Sequence, residues 1–217
     1  MVRKLWALAA VVAIVLACSS SAKADSIGPN CGTCQGSIYT LTYDPTPVLT
    51  TATTQVFQVT LTIDTTGYNG GGTFIDSVAV KVAPDVFATN SALVSAPGGV
   101  GQWNLIVGGI NASGCALNPN NGFECAKDTV SGTGGAAPVP AGVYTWIFNI
   151  EINMGTLFTG LDEASVKARY VDDNGNKVGD LVSENITLQP IPEPGTMALF
   201  GTGLIGLAGA VRRRMSK

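Results

Sequence analysis

The chain has 217 residues, of which 12 are basic and 15 acidic, with no histidine and 46% hydrophobic residues. Lacking histidine, it lacks the usual general base and the commonest metal ligand, which excludes serine–histidine and cysteine–histidine hydrolases and histidine-ligated zinc enzymes. Three basic residues fall in the first 24 positions and four in the last six. The remaining five face all 15 acidic residues between Asp25 and Glu193, a net charge of −10 that argues against nucleic acid and anionic membrane surfaces as partners.

Residues 1–24 read as a secretory signal peptide: Arg3 and Lys4 precede an apolar stretch over 5–17, and Ala22-Lys23-Ala24 fits a small-residue cleavage site. The mature chain is expected to begin at Asp25. Val15-Leu16-Ala17-Cys18 offers a competing lipoprotein-like cleavage box, with acylation at Cys18, but leucine directly before the small residue fits it poorly. Residues 25–190 are long enough for one domain with its own hydrophobic core.

After leader removal four cysteines remain, Cys31, Cys34, Cys115 and Cys125, an even number in an exported chain, and two disulfides are expected. Of the three pairings, Cys31 with Cys34 and Cys115 with Cys125 is favoured, because a Gly- or Asn-containing loop separates each pair. Cys31-Gly32-Thr33-Cys34 also has the spacing of a redox site, but it precedes a strand-like stretch over 38–43 rather than opening a helix that would lower a thiol pKa. A four-cysteine zinc site is disfavoured, since nine residues separate Cys115 from Cys125.

Period-two alternation then dominates. Phe57, Val59, Leu61 and Ile63 alternate with Gln58, Thr60, Thr62 and Asp64, and Tyr144, Trp146, Phe148, Ile150 and Ile152 alternate with mostly polar partners. Val78, Val80 and Val82 give a further strand, and Trp103 to Val107 another. Val166, Ala168 and Tyr170 are expected to face Ile186 and Leu188 across a hairpin turned at Asn174-Gly175. Outside the two terminal segments no convincing amphipathic helix is found. The predicted fold is therefore all-β, an antiparallel β-sandwich of about seven to nine strands. Glycine-, asparagine- and proline-rich loops are expected at 67–72, 96–101, 111–122 and 132–142, and constrained loops of this kind often carry binding.

Few motifs carry chemistry. Asp172, Asn174 and Asn176 resemble the start of a calcium loop, yet Lys177 stands where glycine is needed and Ser183 where the acidic twelfth ligand would be, so a plain turn is favoured and no cofactor or metal is expected. Gly201-Thr202-Gly203-Leu204-Ile205-Gly206 matches a dinucleotide-binding pattern by chance, without a βαβ unit. Glu124, Asp128, Glu151, Asp162 and Glu163 could supply a glycosidase carboxylate pair, but nothing in their spacing selects two of them. Asn111 and Asn185 begin acceptor sequons, read as chance matches.

The tail carries the most specific signal. Pro192-Glu193-Pro194 is followed by an uncharged apolar run over 197–211 and then Arg212, Arg213 and Arg214. Fifteen residues of helix reach about 22 Å, short of the roughly 30 Å hydrocarbon core, which suits temporary retention. The arginines should stay cytoplasmic and leave the residues before Pro192 outside the inner membrane. This arrangement resembles the PEP-CTERM sorting domain of Gram-negative bacteria, with Ile191 in place of the frequent valine. The resemblance implies that residues 191–217 are a sorting signal with a transmembrane segment at 197–211. It further implies cleavage by an exosortase near Pro192-Glu193-Pro194 after signal peptidase has acted at the other end, with transient inner-membrane anchoring followed by release to the cell surface or matrix. The leading expectation is a non-enzymatic exported protein associated with exopolysaccharide or biofilm matrix. A carbohydrate-binding module using Trp103, Tyr68 or Tyr39 as stacking platforms is the alternative, and a matrix-acting hydrolase the third reading.

Overall fold

Polar residues, threonine foremost, alternate with aliphatic and aromatic ones along the long strands of the larger of the two main sheets. The computed structural model describes residues 25–118, 121–130, 135–140 and 142–191. In chain order the strands are β1 (Ser26–Ile27), β2 (Ile38–Tyr43), β3 (Leu49–Thr50), β4 (Thr54–Asp64), β5 (Phe74–Lys81), β6 (Phe87–Ser95), β7 (Trp103–Val107), β8 (Ile110–Asn111), β9 (Gly114–Cys115), β10 (Phe123–Asp128), β11 (Val143–Asn153), β12 (Ala164–Val171), β13 (Val182–Ile186) and β14 (Gln189–Pro190). A 3₁₀ turn, Val100–Gln102, precedes β7. Nine of the strands have five residues or more. No helix among the described residues is long and apolar enough to cross a membrane.

Sheet A runs β1-β2-β4-β11-β6, with β3 on β4 and β14 on β2; sheet B runs β13-β12-β5-β10-β7. The long pairings are antiparallel, whereas β14 adds to β2 in parallel through Gln189↔Thr42 and Pro190↔Tyr43. The chain passes between sheets A and B from β4 to β5, β5 to β6, β6 to β7, β10 to β11, β11 to β12 and β13 to β14, so most sheet neighbours are distant in sequence.

The inner faces meet as a β-sandwich. Leu41, Val59, Leu61, Ile63, Phe148 and Ile150 of sheet A close on Val78, Val80, Ala126, Val166 and Ala168 of sheet B. Trp146 of β11 meets Trp103 of β7 edge-on at 5.4 Å. At the other end, the Tyr39 and Tyr170 hydroxyls lie 2.6 Å apart, Tyr170 also donates to Ser37 at 2.8 Å, and Tyr68 stacks on Tyr170 at 4.5 Å. These buried hydroxyls satisfy one another, so the core takes tyrosine without an orphaned polar group.

Two strands depart from the sequence expectation. β6 and β10 carry no usable alternation: β6 is an exposed edge, and β10, Phe-Glu-Cys-Ala-Lys-Asp, is covered on both faces. The predicted tight hairpin between β12 and β13 is instead a ten-residue excursion over 172–181. Asn174-Gly175 does turn the chain, but within a small loop closed by the Val171↔Lys177 bridge, and Gly175 has φ 77° there.

Candidate functional site

The outer face of sheet B collects most of the positive charge of an acidic domain. Because side chains alternate along a strand, the residues between the inward-facing valines and alanines point outward. They are Phe123, Cys125 and Lys127 on β10; Lys81, Ala79 and Ser77 on β5; and Ser165, Lys167 and Arg169 on β12, in register across the three strands. Four of the five basic residues between Asp25 and Ile191 thus share one face, the fifth being Lys177.

A short hairpin, β8–β9, lies over this face. The Cys115–Cys125 disulfide ties it to β10, and Ile110 packs with Ala79, Phe123 and Cys125, with Leu181 at the margin. Gly108 (φ 151°) admits the chain into the hairpin, since a Cβ there would sit 1.9 Å from the Ala116 carbonyl oxygen.

The hairpin and sheet deal differently with the four cations. Lys127 Nζ donates to the Ser113 carbonyl at 3.3 Å. Arg169 is buried in an ion pair with Asp76, the unpaired residue of a bulge where β5 skips a partner on β12, and it also donates to the Gly175 carbonyl at 3.1 Å. Burial pushes the Asp76 carboxyl up by more than the Arg169 guanidinium pulls it back. Lys81 and Lys167 have no carboxylate partner among the described residues. Their ammoniums lie 5.7 and 4.6 Å from the centroid of the Phe123 ring. Burial, and secondly the Lys81 charge, pushes Lys167 below the ordinary lysine range.

Donors converge beside Gly109. Asn121 Oδ1 accepts the Phe123 amide at 3.1 Å, which makes Nδ2 the group directed at the glycine. A Cβ on Gly109 would lie 3.0 Å from Asn121 Nδ2, 3.8 Å from Phe123 Cδ2 and 4.0 Å from Lys167 Nζ. The space left by the missing side chain is lined by an amide donor, an ammonium and a ring edge. Both nitrogens are donors of the kind that can hydrogen-bond an anion. The sequence reading passed over Lys81, Lys167, Asn121 and Phe123; the available signal was a lone lysine between apolar neighbours, in Val80-Lys81-Val82 and Val166-Lys167-Ala168.

The other predicted residues are dispersed. Cys31 is bonded to Cys34 and Cys115 to Cys125, the pairing favoured by their spacing. Trp103, Tyr68 and Tyr39 are core residues, 5%, 7% and 0% exposed, and so do not form stacking platforms. Trp103 donates instead to the Pro97 carbonyl at 2.8 Å.

The five carboxylates lie on different faces. Glu124 points into the core from β10, in register with Val80 and Val107, and neither oxygen has a hydrogen-bond partner among the described residues. Burial pushes it up to about 7. Ser91 lies near enough to ease this slightly, yet its hydroxyl is committed, donating to the Phe87 carbonyl at 2.6 Å and accepting the Glu151 amide at 3.0 Å. Asp128 accepts the amides of Val130 and Ala136 at 2.7 and 3.2 Å. On the outer face of sheet A, Glu151 accepts from Thr54 and from both nitrogens of Asn90. Glu163 accepts the Gly160 amide at 2.9 Å, and Asp162 lies beside Thr187. Asp172 Oδ1 accepts the amides of Asn174 and Asn176 at 3.0 and 2.8 Å, the geometry of a turn, and these bonds hold its carboxyl below the usual range.

Pro192, Glu193, Pro194, Arg212, Arg213 and Arg214, together with the apolar run over 197–211 and the leader over 1–24, lie outside the described residues. The sandwich ends at β14, immediately before them. The molecule is thus a disulfide-bonded antiparallel β-sandwich with a C-terminal extension. Residues 190–214 match the model of the PEP-CTERM protein-sorting motif. No curated protein matches the chain. The motif marks the chain for exosortase processing and export.

Proposed function

We propose that the protein is a non-enzymatic component of the cell surface or extracellular matrix. It crosses the inner membrane behind the 1–24 leader, is held briefly by 197–211, and is cut by exosortase near Pro192-Glu193-Pro194. The observation that carries this reading is the sorting motif at 190–214, joined directly to the last strand of a disulfide-bonded sandwich. Two disulfides suit an oxidising compartment outside the cytoplasm. Association with exopolysaccharide follows as the site of action.

Intact mass of the protein recovered from the producing bacterium tests this. A chain from Asp25 to the Pro-Glu-Pro region is expected, and replacing Glu193 by alanine, or Arg212, Arg213 and Arg214 together, should strand full-length protein in the inner membrane. Surface protein that retains Arg212 to Lys217, or unchanged release of both variants, would overturn the sorting step.

A further inference from the structure

We infer that the space between Lys81, Lys167, Asn121 and Gly109, floored by Phe123, is an anion site that takes the carboxylate of an acidic sugar in an exported polysaccharide. The choice of source rests on the matrix reading; the anion chemistry does not.

Three observations combine. The two ammoniums share one ring and face no carboxylate of the chain among the described residues, although acidic residues outnumber basic ones threefold between Asp25 and Glu193. Two like charges beside one ring repel each other, and an anion drawn between them would relieve that repulsion. Asn121 Nδ2 and Lys167 Nζ also converge on the position that a Gly109 side chain would occupy, 3.0 and 4.0 Å from it, so two nitrogen donors border one point beside the glycine. Finally, the disulfide ties the hairpin that follows Gly109 to the sheet, so the donors are positioned before a ligand arrives.

The scale of the site selects its ligand. Lys127 and Arg169 are engaged by Ser113 and Asp76, which leaves this face two cations without a carboxylate partner among the described residues rather than a track. Tight nucleic-acid binding draws on about six to ten phosphate contacts. A single carboxylate needs only the pair. At physiological salt the Debye length is about 8 Å, so acidic residues beyond that range are largely screened from the two lysines. Phe123, only 8% exposed, supports the lysines rather than stacking on a sugar ring.

The test is calorimetric titration of the exported protein purified from the producing cells with polygalacturonate, neutral dextran, inorganic phosphate and a single-stranded oligonucleotide. Polygalacturonate should bind and dextran should not. Lys81→Gln with Lys167→Gln should weaken binding at least tenfold. Gly109→Ala, which leaves every charge in place but presses a Cβ on Asn121 Nδ2 at 3.0 Å, should weaken it comparably, while Lys167→Arg should retain most of it. As an independent readout, acetic anhydride should modify Lys167 faster than an exposed lysine, and bound polygalacturonate should protect it.

Equal binding of dextran, undiminished binding by the double lysine variant, or binding of no anion would overturn the site. Phosphate binding without polygalacturonate binding would overturn the polysaccharide source and leave a free-anion site, and tighter binding of the oligonucleotide would overturn the assignment. These outcomes are read in solution and remain distinct from a failure of sorting, which is read from the mass of the cellular protein.

Discussion

The two sheets share one core but present opposite outer faces. Sheet A turns Thr40, Thr42, Thr60, Thr62, Thr145, Gln58 and Asn149 outward, a polar surface without a lysine or arginine. Sheet B turns out Lys81, Lys127, Lys167 and Arg169 and is partly covered by the β8–β9 hairpin. A one-sided sheet can take any polar β-former on its solvent face, whereas a sheet covered on both faces must dispose of each polar group individually. Sheet B accordingly holds the buried ion pair, the orphaned carboxyl of Glu124 and the cation-lined space. Chemistry concentrates where burial forces it.

The largest test of this contrast is Arg169→Met. Removing one partner of a buried pair leaves Asp76 unpaired, and a loss of about 3–5 kcal/mol is expected in urea unfolding. A loss below 1 kcal/mol would mean that sheet B carries its buried charge no more strictly than sheet A carries its threonines.

Glu124 gives the next effect, and its sign follows from linkage. Its folded pKa is raised to about 7 from an unfolded value of 4.5, so between these the folded chain holds more protons than the unfolded one. Stability therefore falls as pH rises through that window, by about 3 kcal/mol in all, and stays low above it. Glu124→Gln should abolish this component, so that the variant gains on the wild type by about 3 kcal/mol between pH 4.5 and 8. The raised carboxyl of Asp76 adds a fall of the same sign that persists in both proteins, which makes the difference between them the quantity to measure. Parallel pH profiles would show Glu124 to be solvated.

The smallest effect is expected on sheet A. Thr60→Val, on the half-exposed face between Thr42 and Ile147, should change stability by no more than about 0.5 kcal/mol. A larger loss would mean that the threonine face is covered in the protein as isolated.

The same contrast explains how much was legible beforehand. β2, β4 and β11 could be read residue by residue because one face meets the core and the other water, so apolar and polar residues alternate. β10 could not, since Phe123 and Cys125 lie under the hairpin while Glu124 and Ala126 lie in the core. The edge strand β6 is exposed along most of its length and pairs with β11 through two register shifts, which erases its period. Trp103, Tyr68 and Tyr39 looked like possible sugar platforms because aromatic side chains serve cores and ligands alike, and only packing separates the two uses.

The sequence by itself determined the terminal sorting signal, the all-β class, the inward faces of sheet A and a cysteine spacing that favoured one disulfide pairing. Each of these is local: an apolar run, a period of two, or a short loop between two thiols. Only the tertiary structure decided the order of sheet B, the bulge that sets Asp76 against Arg169, the burial of Glu124 and the meeting of Lys81 with Lys167 over Phe123. Those residues lie on strands far apart in the chain, joined by crossings between sheets, and no local pattern records which strands will become neighbours.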